Sequence, residues 1–557
     1  MSLGAGLKAT LKRIDMSAVD DDQPEVIGSM EPMLLSIAST NATLPVNNLP
    51  PEILVYIFTL VQLVYGWRPA RVPFGKARPQ WLRITWVCQQ WRRIALGTPT
   101  LWSFVDDTGG WRDPSWLPVF LERAGDVPLD VTIRAQERRR PNVLTEDSIK
   151  PLHHHASRIA QLDLWCRSPD VLSPFSGSFS VLEDLRMSSP DLNQPQSLLE
   201  LSRQRFPLLR KLHIDRLQIR WDTDIFASLQ MLEMTVIPES QRASPSVVLR
   251  ILREAPGLQN LKLSVSPLLP AEQSAMRTPT DPISHHTLRH VHLCGPPTSL
   301  SYIYDRVSLS PQCDIAAHHY VSEPPSDMRL VLPVQLAFKS LLGQCTGLTA
   351  DITARGLLLD ARRYKDAGPS KVEVVMRLYH TSIPPSSLWP HMADAIDIAP
   401  LTYLSLSSTS LSDVSAALWR GLLSRLPQLT HLRISAVKRS ESSSWLEKLE
   451  NALHPLESHN ASPTSILCPS LETLALCVIT LTPARVEGIL RFLDARADKA
   501  AGISSLAFTQ AFCEVGIDVG MLKASLEEHV RLTIKYHESR ILDCTVDGFR
   551  YSTVSGQ

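Results

Sequence analysis

The sequence predicts an α/β chain: a small helical unit near the N-terminus, followed by a solenoid that carries a curved parallel sheet. Three observations predict it. A pattern of one apolar residue, two positions, a second apolar residue, one position and a third returns ten times, starting at Ile159, Leu182, Leu209, Leu229, Leu258, Leu288, Leu401, Leu429, Leu471 and Ile503. Ahead of these lie two stretches whose apolar residues recur at helical spacing. The 42 prolines against 23 glycines in 557 residues call for many short elements separated by breaks.

Residues 1–43 show neither period and carry the acidic run Asp20, Asp21, Asp22. They read as a mostly disordered tail, with no apolar segment of the kind a secretory leader needs. Pro50 and Pro51 then open a helix: their fixed φ and missing N–H suit a first turn, and Glu52 complements the positive end of the dipole. Ile53, Leu54, Ile57, Phe58 and Val61 form its apolar stripe. Ile84, Val87, Cys88, Trp91, Ile94 and Ala95 repeat that spacing, so two amphipathic helices are available to pack together. Between them, residues 66–80 hold three prolines, two glycines and the basic side chains Arg68, Arg71, Lys76 and Arg78, which rules out one continuous helix.

The motifs in this region run in a recognisable order. Leu-Pro-x-Glu-Ile-Leu begins at Leu49, Val-Cys-x-x-Trp-Arg-x-Ile-Ala at Val87 and Pro-x-Leu-Trp at Pro99. Together they resemble an F-box, over about a tenth of the chain. The basic insert at 66–80 departs from the short leucine-bearing segment of the typical domain, and such inserts are familiar in the expanded F-box families of mushroom-forming fungi. The resemblance implies that residues 44–105 dock a Skp-type adaptor and, through it, a cullin. It places Leu49, Pro50, Ile53, Leu54 and Ile57 from the first half, and Val87, Cys88 and Trp91 from the second, toward that adaptor. A helical domain this small also needs its own core, so Leu49 and Pro50 at the helix start are expected to project from it, while Trp91 reads as either anchor or core.

Residues 106–150 connect this unit to the repeats. Within and around them, Leu117 to Ile133 reads as a short helix, a Gly-Asp turn and an alternating strand, Pro128 to Ile133, that begins the sheet. Residues 151–545 hold the repeats, and 546–557 are a tail. In each repeat the final x-L-x-L alternates as a strand with one buried face, and the first leucine turns inward from the preceding loop. A lone unit cannot bury its leucines, so neighbours must stack. The pattern resembles a leucine-rich repeat, with intervals of 23, 27, 20, 29 and 30 residues, then 28, 42 and 32. The usual asparagine position after the strand is taken by Arg167, Pro190, Leu217, Ile237 or Ser266, so turn geometry should vary between repeats. Between Leu293 and Leu401, two or three degenerate repeats are expected, with weaker strands at Met328–Leu332 and Val372–Leu378. Loops are expected at Pro267–His286 and Ala361–Ser370. An ordinary α/β domain with leucine-rich strands is the alternative for everything after residue 110.

Side chains that lie between the buried leucines would line the open face of the sheet. They include Asp163, Trp165, Arg186, His213, Lys262, His292, Tyr403, His431 and Arg433. Trp165 and Tyr403 stand out because aromatics are enriched at interface hot spots.

Other functions are excluded or disfavoured. Lys plus Arg equals Asp plus Glu at 56 each, so no global field points to nucleic acid or an acidic membrane. The longest apolar run, Ile53 to Tyr65, is 13 residues, short of a membrane span. Nine cysteines without a C-x-x-C pair fit a reducing interior, cytoplasmic or nuclear. Gly75-Lys76 is followed by Ala77 rather than Ser or Thr, and no G-x-S-x-G occurs. The pairs at His153-His154-His155, His285-His286 and His318-His319 point adjacent rings in different directions, and no other ligand joins them at metal spacing. The chain is expected to be no enzyme and to need no cofactor or metal. The reading is a substrate-recognition subunit of a Skp–cullin–F-box ubiquitin ligase, with an unidentified protein as target. Its alternative is a binding scaffold whose helices cap the end of the solenoid.

Overall fold

The structure is a computed structural model that describes residues 44–66, 80–107, 116–134, 150–166, 172–189 except 174 and 176, 198–269, 272, 281–310, 312–320, 345–379 except 354–355 and 366–367, 401–436, 444–453, 466–477, 480–498, 501–509 and short stretches from 512 to 542. Two compact units divide it: Met1–Cys166 with Pro174–Leu182, and Arg167–Ser173 with Glu183–Gln557. Among the described residues, no helix is long and apolar enough to cross a membrane. The 66–80 insert falls outside them apart from its two end residues.

In the first unit, helix α1 (Pro51–Gly66) packs against the 3-10 segment Gln80–Trp86 and against α2 (Gln89–Leu96). The unit continues past residue 105. Strand β1 (Phe104–Asp107) lies parallel to β2 (Leu129–Arg134), which lies parallel to β3 (Ile159–Trp165), and α3 (Trp116–Arg123) intervenes between β1 and β2. Trp81, Trp102 and Phe120, all buried, meet edge to face with centroids 5.0–6.0 Å apart, so α3 shares one aromatic core with the helices. The Gly-Asp turn predicted between α3 and β2 is present, and Gly125 takes φ +53° there.

The second unit is a large sheet built mostly from parallel neighbours, with helices or 3-10 turns on the return segments. Strands β4 (Asp184–Ser188), β5 (Lys211–Asp215), β6 (Met231–Thr235), β7 (Asn260–Ser264), β8 (His290–Gly295) and β9 (Asp314–Tyr320) pair in that order, all parallel. Nine of the ten predicted triplets, from Leu182 to Ile503, start two residues before a strand, and the tenth, at Ile159, starts with one. The leucines do what the spacing requires: Leu209, Leu212 and Ile214 are fully buried, as are Leu258, Leu261 and Leu263 to within 2 %. The first turns in from the loop, and the other two point down from one face of the strand.

Between Leu293 and Leu401 the structure departs from the expected degenerate repeats. After β9 come β10 (Gly347–Thr353), β11 (Gly356–Lys365) and β12 (Gly368–Tyr379), which form an antiparallel meander. β12 pairs parallel with β9, and β10 pairs parallel with β13 (Tyr403–Ser408), so the meander is spliced into the array with β11 running against it. The cause is connection length. Thr353 pairs with Gly356 and Lys365 with Gly368, so only two residues separate the paired ends on each side, far fewer than a parallel crossover needs. In the segment Ala361–Ser370, residues 361–365 end β11 and residues 368–370 start β12, so strand takes most of the expected loop. Val372–Leu378 lies inside β12, and Met328–Leu332 lies outside the described residues. Within Pro267–His286, Ile283–His285 pairs with Val307–Leu309.

Regular parallel pairing then resumes through β13, β14 (His431–Ala436), β15 (Thr473–Cys477), β16 (Ser505–Thr509) and β17 (Arg531–Ile534). Several returns are helices with ordinary start signals: α4 (Pro245–Glu254) after Ser244, α5 (Pro297–Tyr304), α6 (Ala416–Leu423) after Ser415, α7 (Ser444–Leu453) and α8 (Pro483–Ala497) after Thr482. In the three named cases the hydroxyl accepts from the third N–H of the helix, and α4 and α8 have proline at their first position. Where an asparagine is usual after the strand, Leu217 and Ile237 are buried instead, each preceded by a residue in the left-handed region, Arg216 (φ +58°) and Val236 (φ +50°). Among the described residues the other strand exits lack this conformation, so turn geometry does vary.

Candidate functional site

The first candidate is a face of α1. Leu54 and Phe58 are fully buried, and buried Gln62 donates from Nε2 to the Leu101 carbonyl at 2.9 Å, which fixes the inner side of the helix. On another side, Ile53, Tyr56, Leu60 and Leu63 are 46, 63, 43 and 53 % exposed. At 100° per residue these four fall within an arc of about 80°, so they form one stripe. Leu44 and Val46 before the helix, and Trp86 and Val87 at the end of the 3-10 segment and just past it, are exposed as well. Eight of the 14 large apolar side chains exposed among the described residues thus lie between 44 and 87, so exposed apolar surface is concentrated in this segment.

The residues named from the resemblance divide. Pro50, Ile53 and Val87 are exposed, while Leu49 and Ile57 are half-buried. Leu54 is wholly in the core and presents nothing to a partner. Cys88 and Trp91, both half-buried, have work within the unit. The Cys88 sulfur caps α2 by accepting from the Trp91 N–H at 3.5 Å, and the Trp91 ring packs 5.0 Å from that of Phe58. Trp91 Nε1 donates to Asn47 Oδ1 at 2.7 Å, and Gln90 Nε2 donates to the Asn47 carbonyl at 2.9 Å. Buried Asn47 therefore ties the Pro45–Asn48 turn to α2, a role the sequence reading missed because both partners lie over 40 positions away. Tyr56, Leu60 and Leu63 were missed for a different reason. α1 is apolar nearly all round, and the stripe chosen from the sequence mixed its inner and outer sides.

The second candidate is the face of the sheet in the second unit opposite the leucines. Arg186, His213, Glu233, Lys262, His292 and Ala316 are consecutive register partners across β4 to β9 and form one row. A groove of about 280 Å³ opens along it, lined in part by Glu233, Lys262, His290, His292 and Asp314. Charges in and beside the row are paired locally. Arg186 donates from Nε and Nη2 to the two Asp184 oxygens at 3.2 and 3.0 Å, His213 Nδ1 lies 3.0 Å from Glu233 Oε2, and His290 Nδ1 lies 2.9 Å from Asp314 Oδ2. The hydrogen bond from His213 holds the Glu233 carboxyl below its usual range against the opposing effect of burial, with help from Lys262 and Arg186.

The remaining candidates lie farther along that face or in the first unit. Tyr403 and His431 are register partners on β13 and β14, with ring centroids 6.4 Å apart. Burial pushes the His431 imidazole below its usual range, and its Nδ1 lies 2.8 Å from Thr430 Oγ1. Half-buried Arg433 stands between Ser405 and Ala475, and register carries its row back through Ser405, Thr349, Asp360 and Val375 to Ala316 and His292. Asp163 and Trp165 belong to β3 of the first unit, where both are half-buried and the indole Nε1 of Trp165 is enclosed without a hydrogen-bond partner. The nine side chains named from the sequence therefore divide between the two units: Arg186, His213, Lys262, His292, Tyr403, His431 and Arg433 stand on one face of the second unit's sheet, and Asp163 and Trp165 on β3 of the first.

The histidine pairs behave as alternation requires. His285 is buried and donates from Nε2 to the Ala255 carbonyl at 3.0 Å, whereas His286 is exposed. His319 is buried and pushed down to about 3 by desolvation, with His318 adding to the shift, while His318 itself faces the groove side of β9. There it meets residues that no local spacing reveals: His292, Cys294 and His318 bring one donor atom each to within 4.8 Å of one another.

No family model matches the chain, and no curated protein matches it significantly. Among solved structures it is similar to a leucine-rich-repeat protein from Leptospira interrogans, at 13 % identity over 73 % of this chain and 95 % of that one, with a TM-score of 0.26. It is also similar to the complex of Rad7 and Elc1 from yeast, at 13 % identity over 76 % and 97 %, with a TM-score of 0.25. At these scores neither likeness assigns a family or a function.

Proposed function

We propose that the chain is a substrate-recognition subunit of a Skp–cullin–F-box ubiquitin ligase, in which the first unit docks the adaptor and the open sheet face of the second holds the target. The observation that supports this most is the exposed stripe Ile53–Tyr56–Leu60–Leu63, which runs along the helix to which the F-box resemblance assigns an interface, shares Ile53 with it, and which a self-sufficient helical unit has no reason to keep. The sheet face suits a folded or peptide protein ligand: its charges are of mixed sign and several are paired locally, so it offers oriented polar contacts without the continuous basic field that nucleic acid requires. In this reading the chain performs no bond-making step. It holds a target lysine near the charged conjugating enzyme, and the advantage is that of an intramolecular reaction.

The test is a pull-down and affinity measurement with purified Skp-type adaptor and the full chain. Tyr56→Asp combined with Leu60→Asp is expected to weaken binding at least about 30-fold, the effect of losing about 2 kcal/mol at a hot spot, with an unchanged melting temperature because both side chains are exposed. An intact chain that does not bind, or a double variant that binds as well as the parent, overturns the proposal. The first outcome leaves the scaffold reading, in which the helices only cap the array.

A further inference from the structure

We propose that His292, Cys294 and His318 form a binding site for a divalent transition metal of the zinc class, with one coordination position open toward the groove. The site does not depend on the ligase reading.

The sheet builds it. His292 and Cys294 are two apart on β8, so both project from the face opposite Val291 and Leu293, which are buried. His318 on β9 is the parallel register partner of Cys294 and emerges on the same face. Hydrogen-bonded neighbours on both sides hold these strands: β7 pairs with β8, and β12 with β9. The three donors are therefore fixed by backbone rather than by a loop, which is the condition for a pre-organised site.

Distances fit as well. His292 Nε2 lies 3.3 Å from His318 Nδ1, with ring centroids 4.3 Å apart and planes at 62°. Two nitrogens bound to one tetrahedral zinc at their usual bond lengths stand about 3.4 Å apart, so the pair is already at ligand separation. The sulfur lies within the same 4.8 Å limit. Two imidazoles and a thiolate are borderline-soft donors that suit zinc, cobalt, nickel or copper and discriminate against magnesium and calcium, which take oxygen ligands. Three protein ligands leave a fourth position for water or for a donor brought by a docked partner. Because His292 also lines the groove, that position faces the surface proposed to hold the target.

The alternative is a metal-free pair of histidines joined by an N–H···N hydrogen bond beside an ordinary cysteine. Titration of the reduced, metal-free full chain with Co²⁺ separates the two. A site of this kind gives one-to-one binding, an intense tetrahedral ligand-field spectrum and a thiolate-to-cobalt charge-transfer band, all reversed by Zn²⁺. Cys294→Ser should abolish the charge-transfer band, and His318→Gln should weaken Co²⁺ binding by more than about 100-fold, since losing even an outer partner of a ligand costs 10–100-fold. Metal-free melting temperatures of both variants show whether each is folded, and either one alone suffices as a test. Absence of the charge-transfer band in the parent, or its persistence in Cys294→Ser, overturns the proposal.

Discussion

Arg496 shows how a charged residue can hold two loops together. It is fully buried on α8, and its Nε, Nη1 and Nη2 donate to the carbonyls of Ala501, Leu467 and Cys468 at 3.1, 2.9 and 2.8 Å. One planar fork thus fixes the exit of α8 and the turn that leads into β15, where Cys468 takes a left-handed φ of +48°. Replacing it with Met would strand three carbonyls, and at about 1–3 kcal/mol per unsatisfied buried group we expect Arg496→Met to lose at least about 3 kcal/mol of stability in urea unfolding. Arg496→Lys should recover less than half of this, because one ammonium cannot reproduce the fork; full recovery would show that charge alone matters. Nothing near Arg496 in the sequence reveals this role. It acts on backbone carbonyls, which carry no side-chain signal, and Asn47 acts on side chains remote in sequence, whereas the leucines declare themselves by spacing.

At the scale of elements, the period-2 signal was legible wherever a strand repeats the same job, and it failed where connection length decided the outcome. Every L-x-x-L-x-L triplet yielded a strand because three apolar positions in that register have no other way to be buried together. The meander β10–β12 was not legible, since its alternation at Leu357, Leu359 and Ala361 resembles that of any strand and its direction follows from connections only two residues long. The metal-type cluster was illegible for a related reason: its ligands are 2 and 24 residues apart along the chain and meet only through strand register. Helix packing shows what such geometry demands of one carboxylate. Glu450 on α7 lies against α8 at Gly488, where an added Cβ would stand 2.8 Å from its Oε2, and its Oε1 is enclosed without a hydrogen-bond partner. Burial, reinforced by Glu447 and opposed by Arg491 and Arg485, raises this carboxyl from 4.5 to about 7. Between those values the native state keeps a proton that the unfolded chain has released, so stability falls as pH rises through the window and stays lower above it. Glu450→Gln should remove this slope and add about 1–2 kcal/mol at pH 8, a figure reduced for the part of the group that faces solvent. Urea midpoints at pH 5 and pH 8 check it, and parallel curves for the variant and the parent would contradict the assignment.

At the scale of the whole molecule, the second unit is an array in which each strand depends on its two neighbours, so its stability is close to a sum of local and nearest-neighbour contributions. The parallel runs β4–β9 and β13–β17 are joined through β12, β11 and β10, and within this meander β11 pairs with both of the others. A lesion in the middle of β11 therefore weakens the coupling between the runs without entering the core of either. Leu359 is the position to choose, being 4 % exposed and paired across to Ala350 and Met376. Leu359→Asp places an unpaired carboxylate among apolar neighbours, a change large enough to unfold the meander locally. The expected result is a denaturation curve that splits into two steps, or broadens with a reduced m-value, because the two runs then unfold at their own midpoints. A single transition of unchanged steepness, merely shifted to lower urea, would mean that cooperativity passes through the sheet regardless of the antiparallel joint.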